Sequence, residues 1–207
     1  LGSISGSTGT ATITGSGTKW SIGNNLNVGS SGSGALRVET NAEVRNKVGY
    51  VGYNSGSTGT ATITGAGSKW LSTAELYIGS AGHGTLRVEE GGLVTNTYGY
   101  LGHDPDSTGT ATITGAGSMW TSSSPLYVGY SGSGELCVEA GGQVSSQVGY
   151  VGYYPGSSGV ATITGAGAKW TSPLSLFIAT SGSGSLSVED GGQVTTGALY
   201  ASLSDLH

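Results

Sequence analysis

The side chains best suited to acid–base chemistry or metal binding lie together in one short loop. The segment HDPDS contains His103, Asp104 and Asp106, and paired carboxylates are the groups that cleave polysaccharides. Fifty residues before and after this loop, the corresponding segments read NSG and YPG, without the carboxylates. Asp and Pro are typical of tight turns, so the sequence favours a turn over a catalytic or metal site here.

The remaining signals for catalysis or cofactor binding are weaker. Cys137 is the one cysteine of the chain, and no histidine lies near it in the repeat, so a nucleophilic role is not indicated. The GGxGxD pattern of calcium-binding solenoids is missing, and a phosphate-binding glycine loop would need a following helix. The sequence therefore predicts no catalytic residue, no metal and no cofactor, and a protein that is not an enzyme.

Tyrosine is the third candidate, because its spacing is regular. Tyr50, Tyr100, Tyr150 and Tyr200 lie at intervals of 50 residues. Tyrosine rings stack on one another and bind proteins and sugar rings with little loss of side-chain entropy. Whether these residues share a surface depends on the elements that hold them.

The chain is an internal repeat. Trp20, Trp70, Trp120 and Trp170 recur every 50 residues, within variants of the segment TATITGAGSKW. A second block, LYIGSAGHGTLRVEEGGLV, alternates with it, and GALRVE aligns with GTATIT at an offset of 25 residues. The unit is therefore about 25 residues long and is present eight times, in two alternating forms.

Each unit predicts three short β-strands and no helix. Apolar residues alternate with polar ones in short runs between Gly and Ser, for example in Leu76–Ile78, Leu86–Val88 and Leu93–Val94, which is typical of half-buried strands. The 41 glycines disfavour a helix. The sequence predicts an all-β, right-handed parallel β-helix of about eight coils over residues 1–207, forming a slice of a longer solenoid.

Stacking of coils predicts the contents of the core. Leu36 should lie over Ala61, followed by Leu86 and Ala111, so that large residues alternate with small ones. The tryptophans occupy the position of Val44 or Val94 in the alternate coils. We therefore expect them to point inward at a corner rather than to form a binding stripe.

Stacking also places the aromatic residues in one outward row. Seven consecutive coils contribute to it, with Tyr50, Tyr77, Tyr100, Tyr127, Tyr150, Phe177 and Tyr200. Near the next corner, the row is widened by Tyr53, His103, Tyr130 and Tyr153. Two interpretations stay open: a structural ladder of rings about 4.8 Å apart, and an exposed face that binds a partner.

Composition excludes several partners. The net charge is -5, which argues against nucleic acid because its recognition needs a basic surface. No apolar run approaches the roughly 20 residues that span a bilayer. These observations predict a segment that neither binds nucleic acid nor inserts into a membrane.

The repeat resembles a known family. The motif GSTGTATITGAGSKW followed by LYIGSAGHGTLRVEEGGLV is similar to the strand-loop-strand repeat of autotransporter (type V secretion) passengers and of surface proteins with a PEP-CTERM sorting signal. The resemblance covers residues 6 to 200. It implies a right-handed β-helix, an extracellular or bacterial cell-surface location, and adhesion or self-association without defined catalytic residues.

The sequence therefore predicts a surface repeat adhesin segment that acts through a lateral aromatic face. Its partner would be a second copy of itself, bound laterally or end to end, or surface glycans or host proteins. One alternative is a structural stalk or an extracellular filament subunit. Another is a β-helix that binds or cleaves polysaccharides.

Overall fold

The computed structural model describes residues 1–201 as a stack of eight coils. Each coil contributes one strand to each of three eight-stranded parallel sheets, and residues 1–201 contain no helix. The predicted β-solenoid with three strands per coil is thus confirmed. The right-handed winding stays a prediction, and residues 202–207 of the predicted segment lie outside the described residues.

The strands follow one another around the coils in a fixed order. The first four coils contain β1 (Thr8–Thr14), β2 (Lys19–Ser21), β3 (Leu26–Val28), β4 (Ser33–Glu39), β5 (Glu43–Asn46), β6 (Gly49–Val51), β7 (Thr58–Thr64), β8 (Lys69–Ser72), β9 (Glu75–Ile78), β10 (His83–Glu89), β11 (Leu93–Asn96) and β12 (Tyr98–Leu101). The last four contain β13 (Thr108–Thr114), β14 (Met119–Ser122), β15 (Leu126–Val128), β16 (Ser133–Glu139), β17 (Gln143–Ser146), β18 (Val148–Val151), β19 (Ser158–Thr164), β20 (Lys169–Ser172), β21 (Ser175–Ile178), β22 (Ser183–Glu189), β23 (Gln193–Thr196) and β24 (Leu199–Ala201).

Each of the three sheets consists of every third strand along the chain. The first sheet begins with β1, β4 and β7, the second with β2, β5 and β8, and the third with β3, β6 and β9. In the first sheet, Leu36 pairs with Ala61, which in turn pairs with Leu86. The predicted alternation of large and small side chains is therefore confirmed.

The tryptophans form part of the core, as predicted. Trp70 pairs with Val44 on one side and Val94 on the other, and Trp70, Trp120 and Trp170 are 0% exposed. Their predicted place at a corner is wrong, because Trp70 lies within β8 of the second sheet. A strand position lets the indole extend across the interior toward the third sheet.

Glycine provides the space that the indole fills. A Cβ atom built on Gly99 would lie 3.1 Å from Trp120 Cζ2 and 2.7 Å from Leu126 Cδ1. Gly49 and Gly149 have the same surroundings one repeat before and after. A coil that contains Trp and Leu therefore stacks on a coil that contains Val and Gly at the same positions, which explains why the unit alternates in two forms.

A buried polar column runs beside the tryptophans. Trp70 Nε1 and Trp120 Nε1 each donate a hydrogen bond of 2.6 Å to the side-chain oxygen of Asn46 and Asn96. The Asn96 amide donates in turn to Ser122 Oγ at 2.8 Å. In the next repeat, Ser146 replaces the asparagine and accepts from Trp170 at 3.3 Å. These contacts satisfy indole groups that burial would otherwise leave without a partner.

The close packing of glycine against the indole can be tested by substitution. Gly99→Ala should lower the free energy of unfolding by about 1–3 kcal/mol, because the new methyl group overpacks the core. Urea denaturation monitored by circular dichroism would measure the change. Gly23→Ala is the matched control, since a Cβ there meets nothing within 4 Å, and it should change stability by less than about 0.5 kcal/mol.

Shortening the facing side chain should relieve the overpacking. Leu126→Val removes the Cδ1 atom nearest to the new methyl group and should restore part of the stability of Gly99→Ala. Equal stability of Gly99→Ala and the wild-type protein would contradict the packing described for this column.

Candidate functional site

The predicted aromatic row forms one stacked column on the third sheet. Tyr50 pairs with Tyr77, and Tyr150 with Phe177, at matching positions of neighbouring strands. Consecutive ring centroids lie 4.7 to 5.1 Å apart and the rings are nearly parallel. We call this set the first column; its members are Tyr50, Tyr77, Tyr100, Tyr127, Tyr150, Phe177 and Tyr200.

A second column lies beside the first, at the corner between the third sheet and the following first-sheet strand. It contains Tyr53, His103, Tyr130 and Tyr153, as the sequence predicts. His103 stacks on Tyr130 at 4.8 Å, and Tyr130 on Tyr153 at 5.5 Å. Rings of the two columns meet edge to face, for example Tyr50 with Tyr53 at 4.6 Å.

A glycine at the start of each corner positions the second column. Gly52 has a φ of 74°, and a Cβ there would lie 2.3 Å from the backbone oxygen of His83 in the next coil. Only a residue without a side chain fits this close approach. The chain therefore turns sharply after β6, and the following residue, Tyr53, is placed against the first column.

The aromatic side chains are less exposed than side chains in a single outward-facing row would be. The first-column residues from Tyr50 to Phe177 are half-buried. Rings above and below cover their faces, and the second column covers one edge of those from Tyr50 to Tyr150. Tyr98 and Tyr154 are exposed, with 38% and 44% of their surface accessible. Together the rings form a broad aromatic surface, which we call the aromatic face.

Sequence reasoning missed two residues of the aromatic face, Tyr98 and Tyr154. Tyr154 contacts Tyr130 at 4.9 Å and Tyr153 at 4.8 Å, in both cases edge to face. Its signal was the doubled tyrosine of the segment GYYPG, which one repeat alone contains.

Burial raises the pKa of the phenol groups in the middle of the aromatic face. It raises the pKa of Tyr77 and Tyr127 well above the usual value, and that of Tyr50, Tyr100 and Tyr150 in the same direction. Burial, with a hydrogen bond to Tyr154, raises the pKa of Tyr130 to about 12.

The other candidates lie elsewhere or have a structural role. The HDPDS segment forms a turn, in which the Ser107 backbone N–H and Oγ both donate to Asp104 O, at 3.2 and 2.6 Å. This turn is the predicted one. Cys137 lies on the first sheet and contacts Glu139, and burial followed by that contact raises the pKa of its thiol to about 12.

Two features are missing from residues 1–201. No group of three or more His, Cys, Asp or Glu side chains in this range is arranged to hold a metal ion. The same part of the chain has no helix long and apolar enough to cross a membrane.

Comparison with protein-family models, with curated proteins and with solved structures found no match to this chain. The site must therefore be interpreted from its own geometry.

The raised pKa values of the phenols predict how the free energy of unfolding depends on pH. Tyr130 has a pKa of about 12 in the folded chain, whereas an unperturbed tyrosine titrates at 10.0. The unfolded chain therefore loses its phenol protons at lower pH, so the contribution of the buried phenols to stability should be constant below about pH 10 and be lost progressively above about pH 10. Urea denaturation at a series of pH values would measure this loss of stability.

Ultraviolet absorbance of tyrosinate provides an independent measurement. The tyrosines of the native protein should ionise at a higher pH than those of the same chain unfolded in concentrated guanidinium chloride. Identical titration curves in the two conditions would contradict the mutual burial of the rings.

Proposed function

We propose that this chain is a non-enzymatic, extracellular surface segment whose rods associate laterally through the aromatic face. The observation that supports the proposal is the continuous stack of rings along the third sheet, from Tyr50 to Tyr200. The same function is implied by the resemblance of the repeat to autotransporter-type passengers. A second copy of the chain is the partner that the geometry favours.

Matching periodicity favours a second copy as partner. The rings recur at nearly the spacing of the strands, so two identical rods can repeat the same contact at every coil. Many weak contacts on one rigid element reinforce one another by avidity. The seven rings of the first column are separated by six steps of roughly 4.8 Å, so the face is about 29 Å long.

The charge distribution removes an obstacle to self-association. On the strands of the third sheet within residues 1–201, Glu75 is the one charged side chain. Most other charged residues lie on the first and second sheets, as in the Arg87–Glu89 pair at 3.2 Å, while Asp104 lies at the corner beside His103. Two aromatic faces can therefore meet without strong repulsion, and tyrosine is enriched where proteins meet.

Substitution on the aromatic face tests the proposal. The triple variant Tyr77→Ser, Tyr127→Ser, Tyr150→Ser removes three rings of the first column. We expect the wild-type protein to form dimers or larger assemblies with increasing concentration, and the variant to weaken this association at least tenfold. Sedimentation velocity across a concentration series measures both.

A matched control removes as many apolar side chains from the other two sheets. Leu71 and Met119 are half-buried on the second sheet and Val160 is exposed on the first, so Leu71→Ser, Met119→Ser, Val160→Ser should associate like the wild-type protein. Equal association of all three proteins would favour contacts away from the aromatic face, as in a stalk or filament. Wild-type protein that stays monomeric at all concentrations would exclude self-association.

A further inference from the structure

The second column has a gap one coil high. Backbone hydrogen bonds to the preceding coil place Ser80 in the coil between those of Tyr53 and His103. A small side chain therefore stands where the neighbouring coils have rings. A groove of about 290 Å³ lies at this point, and its lining includes Tyr53, Asn54, Tyr77, Ser80, His103 and Asp104.

The height of the gap suits one flat ring. Tyr53 and His103 are two coils apart, a separation of about 10 Å at the usual strand spacing. A ring halfway between them would lie about 5 Å from each, like the 4.8 Å between His103 and Tyr130 in the same column. The volume is at the small end of the roughly 300–1,000 Å³ of small-molecule sites, which limits the ligand to about one ring.

Polar groups surround the two aromatic walls. Asn54 and Asp104 occupy the same position at the rim, two coils apart, and the Asp104 side chain is 47% exposed. Ser80 lies at the floor, and its hydroxyl makes no hydrogen bond to another side chain among residues 1–201. Such a rim donates and accepts hydrogen bonds that an apolar ring would leave unused.

Internal contacts hold the wall and rim in place. His103 Nδ1 and Asp104 Oδ1 lie 2.6 Å apart, and His103 packs edge to face on Tyr77 at 4.9 Å. On the opposite side, Tyr53 packs on Tyr50 and the Asn54 amide donates to Ser31 Oγ at 2.9 Å. The groove is thus preorganised, which lowers the entropy lost when a ligand binds.

These features fit a sugar better than an aromatic side chain or an anion. The C–H face of a pyranose packs on an aromatic ring, whose face carries partial negative charge, while its hydroxyl groups reach the polar rim. No Lys or Arg lines the groove, so a phosphate or an acidic sugar would find the Asp104 carboxylate and no fixed positive charge.

We propose that the gap at Ser80 binds one neutral pyranose ring, stacked between Tyr53 and His103 and hydrogen-bonded by Asn54 and Asp104. The proposal does not depend on lateral association, because the groove is complete within one chain. It assigns the carbohydrate contact to one position of the solenoid and not to the aromatic face as a whole.

Saturation-transfer NMR with simple glycosides tests the proposal. The probes are the methyl glycosides of D-glucose, D-galactose, D-mannose and N-acetyl-D-glucosamine, each with the full chain at a concentration where sedimentation shows monomers. At least one should bind with a Kd on the order of 1 mM, as suits a ligand of so few atoms. Absence of binding by all four would overturn the proposal.

Filling the gap gives the decisive variant. Ser80→Tyr completes the second column and should weaken binding at least tenfold. The control is Thr180→Tyr, because Thr180 holds the same position in another coil, next to Tyr153, and an added ring there should leave binding unchanged. Equal binding by Ser80→Tyr and wild-type protein would place the sugar elsewhere and overturn the proposal.

Two further outcomes separate the alternatives. Asp104→Ala leaves the gap open and should also weaken binding at least tenfold, which keeps the test valid if Ser80→Tyr fails to fold. If Ser80→Tyr abolishes self-association while none of the glycosides binds the wild-type protein, the gap holds a side chain of a second copy, and the sugar proposal is overturned.

Discussion

The structure depends on the parallel pairing of each coil with the coils before and after it. The register of this pairing puts equivalent residues of neighbouring coils directly beside one another. In the first sheet this register is held without interruption from Thr8 to Glu189. Because the backbone bonds leave no freedom to slide, each position around the coil becomes a column that runs along the rod. The core, the polar column and the aromatic face are all products of this one constraint.

Within those columns, neighbouring residues must fit one another in volume. Trp120 fits because Gly99 stands across from it, and its buried indole N–H has a partner in Asn96. The same logic operates outside, where rings of the first column are covered by rings of the second. The residue type that fits at one position of a column therefore depends on the residues at the same position in the coils above and below.

The repeat made much of this predictable. Alignment of the two alternating forms of the repeat predicted the pairing of Leu36 with Ala61, the burial of the tryptophans and the stacking of Tyr50 on Tyr77. The hydrogen bond from Trp120 to Asn96 was not predicted, because periodicity fixes which residues are neighbours but not how far a side chain reaches. The groove at Ser80 was missed for a similar reason, since it is visible only when the corner residues are aligned as carefully as the strands.

The match between tryptophan and glycine also constrains how such a chain can grow. Removal of a single coil of the valine and glycine form would bring two tryptophan-containing coils into contact, with no Gly49 or Gly99 between them to receive the indoles. Removal or duplication of two adjacent coils keeps each buried indole opposite a glycine. The heritable unit of this solenoid is therefore the pair of coils, so recombination between repeats of its gene preserves the fold when it exchanges whole pairs.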